Sequence, residues 1–547
     1  MRNPLAFTLF LILGIIQLCA QAPEFNWVKR IDGNLNDYAN AIVHDRDGNL
    51  YIAGSFASYT LVMGDTVFVN HASQTKDIFF AKLDPDGNVI WARHAGNTED
   101  DEALCLTTDP WGNLYVAGLF CKTVDFDGIT LSTEMYNDDI FLLKYNTDGD
   151  IQWAKQFGAD YADYPASLCS DSSGNIYFTG RFMGSPFVMD TIVLQGNGDS
   201  QMFLCKINPE GKVVWGIGGS QAAGSGGYDL VTDRQGNLYY GASFYGYSFM
   251  IDTVTMYSAG DYDFFIAKFN QSGKIQWVRK FGGTKGESIR KMALGPDSSV
   301  YITGYYISPT LEIGNTVLTN STIYDGNLFL ARLDAEGNPL WAKSAEGNSI
   351  DWITGLEVDE LGCPYICGYY DSFTLTFDTI TLNNLEIGEN DIFLAKYNKE
   401  GSVIWVSNIG GNHEDYCMGM TMDGSGELNL TGYFNSDNIW FGAISLPSTV
   451  GNLSDIFIAN TEKAVGIDKK DFSLENSIYP NPNKGNFTII IQSKADKISL
   501  YNQKGALLQS WQEVHPGPLK IAVDHSGLYI LHCLSGEISQ SYKVVVE

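Results

Sequence analysis

Residues 77–96 read DIFFAKLDPDGNVIWARHAG. An alternating strand from Asp77 runs into Asp84-Pro85-Asp86-Gly87-Asn88, and a second strand follows through Trp91. This is hairpin chemistry: Asp accepts local backbone N–H groups, Pro presets φ, and Gly takes the left-handed turn position. Further along, a strand from Leu104 to Thr108 meets the turn Asp109-Pro110-Trp111-Gly112-Asn113 and the strand LYVAGLF. The stretch before the next marker Asp also recurs, as TLVMGDTVFV, PTLEIGNTVL and FTLTFDTITL, and predicts an extra small hairpin.

The unit repeats. Trp recurs at Trp27, Trp91, Trp153, Trp215, Trp277, Trp341 and Trp405, spaced 62 to 64 residues apart. A glycine recurs with it (Gly54, Gly118, Gly180, Gly241, Gly304, Gly368, Gly432). So does a strand-opening Asp (Asp77, Asp139, Asp199, Asp263, Asp325, Asp391, Asp455). Four main strands per unit, seven times, predict an all-β, seven-bladed β-propeller. The repeats begin on a Trp strand (Phe25 to Arg30) and end on an Asp strand (Asp455 to Ala459). Trp27 therefore completes the last blade, so the ring closes by pairing N- and C-terminal strands and loses its open edges. This phase puts the Trp strand outermost (D) and the strand after it innermost (A), with LYVAG as B and the Asp strand as C. The B–C loops are the long ones, and they share a face with the D–A loops. Binding residues concentrate on longer, more varied loops, so that face is the expected functional one.

Four segments follow: residues 1–20 as a signal peptide, 21–463 as the propeller, 464–476 as a linker, and 477–547 as a small β-sandwich. Arg2 gives the leader a positive start, and Leu5 to Leu18 is apolar but short for a bilayer. Cleavage after Ala20 leaves Gln21 first; a lipoprotein reading would instead anchor Cys19, with bulky Leu18 against it. No later segment is long and apolar enough to span a membrane. The remaining cysteines (Cys105, Cys121, Cys169, Cys205, Cys363, Cys367, Cys417 and Cys533) lack the spacing of a disulfide framework and read as small buried residues. No paired His/Cys spacing suggests a metal. The formal net charge is −30. Residues 467–547 hold eight Lys and eight acids, so the excess lies before them. Such a surface repels nucleic acid and anionic lipid, and it excludes neither a cation nor a basic partner.

The markers DIFLAKYN, GSVIW and DxxGNLYxxG resemble the bacterial propeller repeat of secreted and surface proteins, over roughly residues 24–463. The tail resembles a C-terminal sorting domain of the type IX secretion system. The matching residues are Tyr479, Pro480, Asn481, Pro482 and Gly485 in IYPNPNKG, Gly505 in KISLYNQKGALL, Gly527 and Tyr529 in SGLYIL, and terminal Lys543. The resemblance implies passage through the periplasm and across the outer membrane by that machinery. It also implies removal of the tail, then release or attachment at the cell surface. It implies no ligand or chemistry.

Several groups are candidates for function. An acid stands ten residues after six of the Trp: Asp37, Asp101, Asp163, Glu287, Asp351 and Asp415, with Ser225 at the seventh place. A carboxylate ring could hold Ca²⁺, a cationic ligand or a sugar; the plainer account is that each caps a loop by accepting backbone N–H groups. Blade 4 breaks the pattern with Gly218–Gly227, GGSQAAGSGG, whose Ser225 falls short of a nucleophile elbow. Blade 5 adds Arg290 and Lys291 on its innermost strand. The DxxGN segments resemble fragments of Ca²⁺ loops without the distal Glu, which turn formation explains. Phe56, Phe120, Phe182, Tyr306, Tyr370 and Phe434 recur too regularly for recognition and suit core packing. Tyr245, Tyr247 and Trp440 are irregular, lie in B–C loops, and are the contact candidates. The leading expectation is a non-catalytic binding module for a glycan or extracellular protein. A structural surface component and a glycan-cleaving enzyme are the alternatives; the last would need a unique acid–base pair.

Overall fold

The structure, a computed structural model, describes residues 22–462 except 73, 134–136, 221–223, 322–324, 350, 385, 387, 450 and 452. Within 478–546 it describes all but 480–483, 492–494, 503–506, 516 and 536–537. The signal-peptide segment therefore lies outside the described residues. The chain divides into two units, Met1–Ala464 and Val465–Glu547.

The first unit is a ring of seven antiparallel blades. Blade 1 orders its strands A (Asp37–His44), B (Leu50–Phe56), C (Asp77–Leu83) and D (Val89–Ala95). Blade 7 takes A, B and C from Asp415–Met422, Leu428–Phe434 and Asp455–Thr461, and its D strand is Phe25–Ile31 from the other end of the chain. That closing strand runs antiparallel to Asp455–Thr461, pairing Trp27 with Asn460 and Ile31 with Ile456. Asn26 Nδ2 donates 2.8 Å to Asn460 Oδ1 across the join.

Strands B and C are buried on both faces, as Leu50–Phe56 and Asp77–Leu83 illustrate, because each blade lies between two others. This corrects the expected alternation in DIFFAKL: Lys82 is only 7% exposed. It lies 3.4 Å from Asp45 of its own A–B turn, with its ammonium over the Tyr51 ring. A buried charge needs such a partner. The pairing recurs as Lys206–Asp171 at 3.3 Å and Lys396–Asp359 at 3.3 Å. In the closing blade, uncharged Asn460 takes the lysine's place.

The recurring Trp has a specific seat. A Cβ at Gly149, at φ +82°, would lie 2.8 Å from Cδ2 of Trp91 in the preceding blade. Trp91 Nε1 donates 3.0 Å to Thr147 O in the same turn. Each C–D turn thus receives the indole of its predecessor, and only glycine gives both the left-handed backbone and the room. Gly149→Val should cost about 2–4 kcal/mol in urea unfolding. Gly128→Ala, at φ +93° with nothing within 4 Å, should cost only about 1 kcal/mol. Equal losses would remove the indole from the explanation.

Two marker series shift in register. Ala242, not Gly241, pairs with Gly227 where other blades place the marker glycine, as in Gly54 opposite Ala39. Blade 4 has exchanged its small residues across the strand pair. Gln201 and Asn327, not Asp199 and Asp325, pair with Phe182 and Tyr306 at the strand-C opening.

Every B–C loop carries the extra hairpin, from Thr60–Met63 with Thr66–Val69 in blade 1 to Asn438–Phe441 with Ile444–Pro447 in blade 7. The hairpins lean backwards. Phe187–Met189 of blade 3 pairs with blade 2's outer strand through Met189 and Phe157. Val62 of blade 1 bridges to Asp32, just after the closing strand.

The second unit packs two sheets. One pairs Ile478–Tyr479, Asn486–Ile491 and Gly517–Ala522; the other orders Leu507–Val514, Ala495–Asn502, Gly527–Ser535 and Ile538–Val546. Phe487, Ile489 and Ile521 from the first meet Ile498, Leu500, Leu531 and Val544 from the second in one core. Gly485 is at φ +92° and accepts Val523 N at 2.8 Å, while the Tyr529 hydroxyl donates 2.7 Å to His525 O. Lys543 pairs with Ile530 on the last strand. Pro480, Asn481, Pro482 and Gly505 lie outside the described residues.

Candidate functional site

The repeated acids turn inwards. Asp37, Asp101, Asp163, Glu287, Asp351 and Asp415 are at most 1% exposed. Asp37 accepts Ser58 N at 3.1 Å and Ser58 Oγ at 2.6 Å. Asp163 accepts Ala159 N at 2.7 Å and Met183 N at 2.9 Å. Glu287 accepts Gly283 N at 2.6 Å and Ser308 N at 3.1 Å. Asp351 and Asp415 take the hydroxyls of Ser372 and Ser436, each at 2.9 Å, and Asp101 takes Cys121 N at 3.0 Å. Each carboxyl fastens a loop end, and none faces the channel. Burial pushes Asp37, Asp163 and Asp351 up to about 7 and Asp101 up to about 8. It raises Glu287 and Asp415 as well. Among the described residues, no cluster of His, Cys, Asp and Glu is arranged to hold a metal ion.

The loop aromatics are spread out. Tyr247 is 83% exposed and stands near Tyr257 in blade 4, while Trp440 bridges to Gly410 on the hairpin of blade 7. Tyr245 is not a loop residue as expected but ends strand B, held by pairing with Gly224 and Tyr262; its ring packs 5.1 Å from that of Tyr262, which lines the cavity described next.

Strand A residues one place after the repeated acid form the rim of the channel on the D–A and B–C face. They are Tyr38, Glu102, Tyr164, Gly226, Ser288, Trp352 and Tyr416, read from Asp37 round to Asp415. Their strand-B partners include Arg181, Ser243, Tyr305, Tyr369 and Tyr433. Rings follow one another round this rim: Tyr305–Trp352 at 5.7 Å, Tyr369–Tyr416 at 4.8 Å, Tyr416–Tyr433 at 4.7 Å and Tyr433–Tyr38 at 4.8 Å. In blades 4 and 5, glycine and serine interrupt the wall. A cavity of about 780 Å³ opens there, within the range of small-molecule sites.

Tyr164, Trp352 and Tyr369 stand around this cavity, and Arg290 projects from the strand-A bulge of blade 5. The Arg290 guanidinium lies 4.5 Å from the Trp352 ring, 5.0 Å from Tyr228 and 5.2 Å from Tyr305. Among the described residues its Nε is buried without a hydrogen-bond partner. Ser225 sits on a strand, and its Oγ accepts Met202 N of blade 3's strand C at 3.0 Å, so it ties two blades together rather than forming an elbow nucleophile.

Deeper in the channel the sevenfold pattern breaks again. Asp229 accepts Ser167 Oγ at 2.8 Å and Met292 N at 2.7 Å, with Lys291 Nζ 3.9 Å away. Glu357 lines the same space, and burial and then the Asp229 charge hold its carboxyl up to about 8.

Residues 477–547 match the family described as secretion system C-terminal sorting domain. Residues 26–55 and 152–181 match the β-propeller repeat family. The uncharacterized WD repeat-containing protein L264 of Acanthamoeba polyphaga mimivirus is 23% identical over 461 residues, covering 68% of this chain and 33% of that protein. Regulatory protein FlaEY of Caulobacter vibrioides is 23% identical over 393 residues, covering 67% and 39%. The chain therefore spans only 33% and 39% of the length of these curated relatives. Among solved structures, a protein of unknown function from Dyadobacter fermentans aligns over 80% of this chain and 98% of its own, at 12% identity and a TM-score of 0.37.

Proposed function

We propose that this chain, a seven-bladed propeller whose type IX sorting tail marks it for export, is a non-catalytic binding module for a glycan, held at the channel mouth. The observation that carries the reading is the interrupted aromatic wall. Rings fill the rim on blades 6, 7 and 1, and Gly226 and Ser288 leave a recess beside Trp352 and Tyr164. Aromatic faces stack on the apolar faces of sugar rings, and a recess of this size takes a few of them. An extended protein partner would use a flatter surface. Tyr245 widens the site through Tyr262, with Tyr247 and Trp440 as outlying contacts. Binding is to be measured with Ca²⁺ and with chelator.

Gly226 provides the test. Among the described residues a Cβ there would meet only Tyr228, at 3.9 Å, and the equivalent residues in blades 1 and 3 are tyrosines. Gly226→Tyr should fill the recess without unfolding the ring. Against a polysaccharide panel, the native chain should bind at least one member saturably. Gly226→Tyr and Trp352→Ala should each weaken that binding about tenfold or more, with unchanged melting temperature. Binding indifferent to both would move the ligand elsewhere. Release of product, abolished by Glu357→Gln, would favour the glycan-cleaving alternative, for which Asp229 and Glu357, both lining the inner channel, are the candidate acids.

A further inference from the structure

We infer that the sugar bound at the channel mouth carries a carboxylate, and that Arg290 receives it. The inference rests on the glycan-binding reading and narrows it. Among the described residues, those lining the cavity include Arg181, Arg290 and Lys291 and not one Asp or Glu. That is unexpected in a chain with 64 acidic residues against 34 basic ones. The surface at large repels anions, while this recess is built of cations and rings.

The three cations are not equivalent. Lys291 faces Asp229 at 3.9 Å, so part of its charge is answered within the channel. Arg181 lies over the Tyr164 ring at 4.6 Å, at the outer side of the recess. Arg290 has no ion pair among the described residues, and three aromatic rings surround its guanidinium. Rings satisfy the flat faces of a guanidinium; of the Arg290 N–H edge the Tyr305 side chain takes one hydrogen bond, and the rest is left to be met in the plane. The buried, unpartnered Nε belongs to that edge. A buried donor without an acceptor is costly, and a planar two-oxygen anion suits a guanidinium edge. A neutral sugar would leave the charge unanswered. A uronic acid brings a ring face for Trp352 and a carboxylate for Arg290 in one residue.

The test pairs acidic polysaccharides (polygalacturonate, alginate and hyaluronan) with their carboxyl-reduced forms, and adds dextran sulfate and neutral glucans. Binding of the purified full exported chain is followed by calorimetry. The expected result is saturable binding of at least one carboxylate polymer and loss of it on reduction. Arg290→Gln should weaken that binding about 10- to 100-fold, and Arg290→Lys should restore only part of it. Melting temperatures of both variants verify the fold. Equal binding of acidic and reduced forms, or binding of neutral glucans alone, overturns the carboxylate and leaves the glycan reading standing. Binding of dextran sulfate without any carboxylate polymer also overturns it. No binding by any polymer overturns both.

Discussion

Deleting residues 22–31 should lower the melting temperature of the propeller by about 10 °C or more, or abolish its cooperative transition. These residues supply blade 7 with its outer strand. Their removal exposes the main-chain edge of Asp455–Thr461 and the core that Val28 and Phe25 help cover. The Phe25 ring, 5.2 Å from Phe441, goes too, as does the Arg30 bond to Pro447 O. Burying apolar side chains of this size contributes about 1.5–3 kcal/mol each, so the total exceeds about 4 kcal/mol even after discounting partial exposure. A synthetic peptide of residues 22–31 added in trans should recover part of the loss in a concentration-dependent way. A truncated ring that melts like the full one would show that closure contributes little.

The second large effect is a dependence on pH that runs opposite to ordinary acid denaturation. Six loop-fastening carboxyls are raised by burial, four of them to about 7 or 8. A group whose folded pKa exceeds its unfolded one contributes stability that is present below the unfolded value, near 4, and is lost as pH rises through the folded value. The propeller should therefore be most stable near about pH 4–5 and lose several degrees of melting temperature by about pH 8. His44 and His94, lowered by burial, oppose this below about pH 6.5, two groups against six. General self-repulsion of the acidic chain has the same sign as the carboxyl effect, but added salt screens it and leaves buried groups alone. Asp101→Asn separates the two. It should stabilise the ring by about 1–3 kcal/mol at pH 8 and leave it nearly unchanged at pH 4. A flat profile in high salt would place these carboxyls in a far less desolvated setting than their burial indicates.

Much of the ring is legible in the repeat because the repeat records what every blade must do. The Trp needs the neighbour's turn glycine, the strand-C lysine needs the turn Asp, and a terminal Trp strand without a preceding Asp strand announces the closure. Legibility fails where one blade departs from the others. Ala242 replaces the marker glycine because Gly227 opposite has taken over the small side, so Gly241 looks like a marker one place out of register. The candidate site is harder still. It is made by an absent side chain at Gly226 and by the residue between each marker glycine and the following core aromatic. Arg290 is visible as an irregularity, yet its ring partners come from three blades. Loop aromatics such as Tyr247 attract attention by their exposure, whereas the recess lies on the rigid inner strands.

The backward-leaning hairpins bear on survival outside the cell, where no ATP-driven chaperone restores a damaged fold. Blade 3 reaches back to blade 2 through Met189 and Phe157, blade 4 to blade 3 through Ile251 and Gly219, and blade 6 to blade 5 through Phe377 and Ala345. For one of these blades to swing out, its own hairpin must leave the predecessor and the packing on both sides must open as well. Local opening then approaches the free energy of whole-ring unfolding, and a protease meets few partly open forms to cut. Durability in a degradative setting is thus written into the direction in which seven short hairpins point.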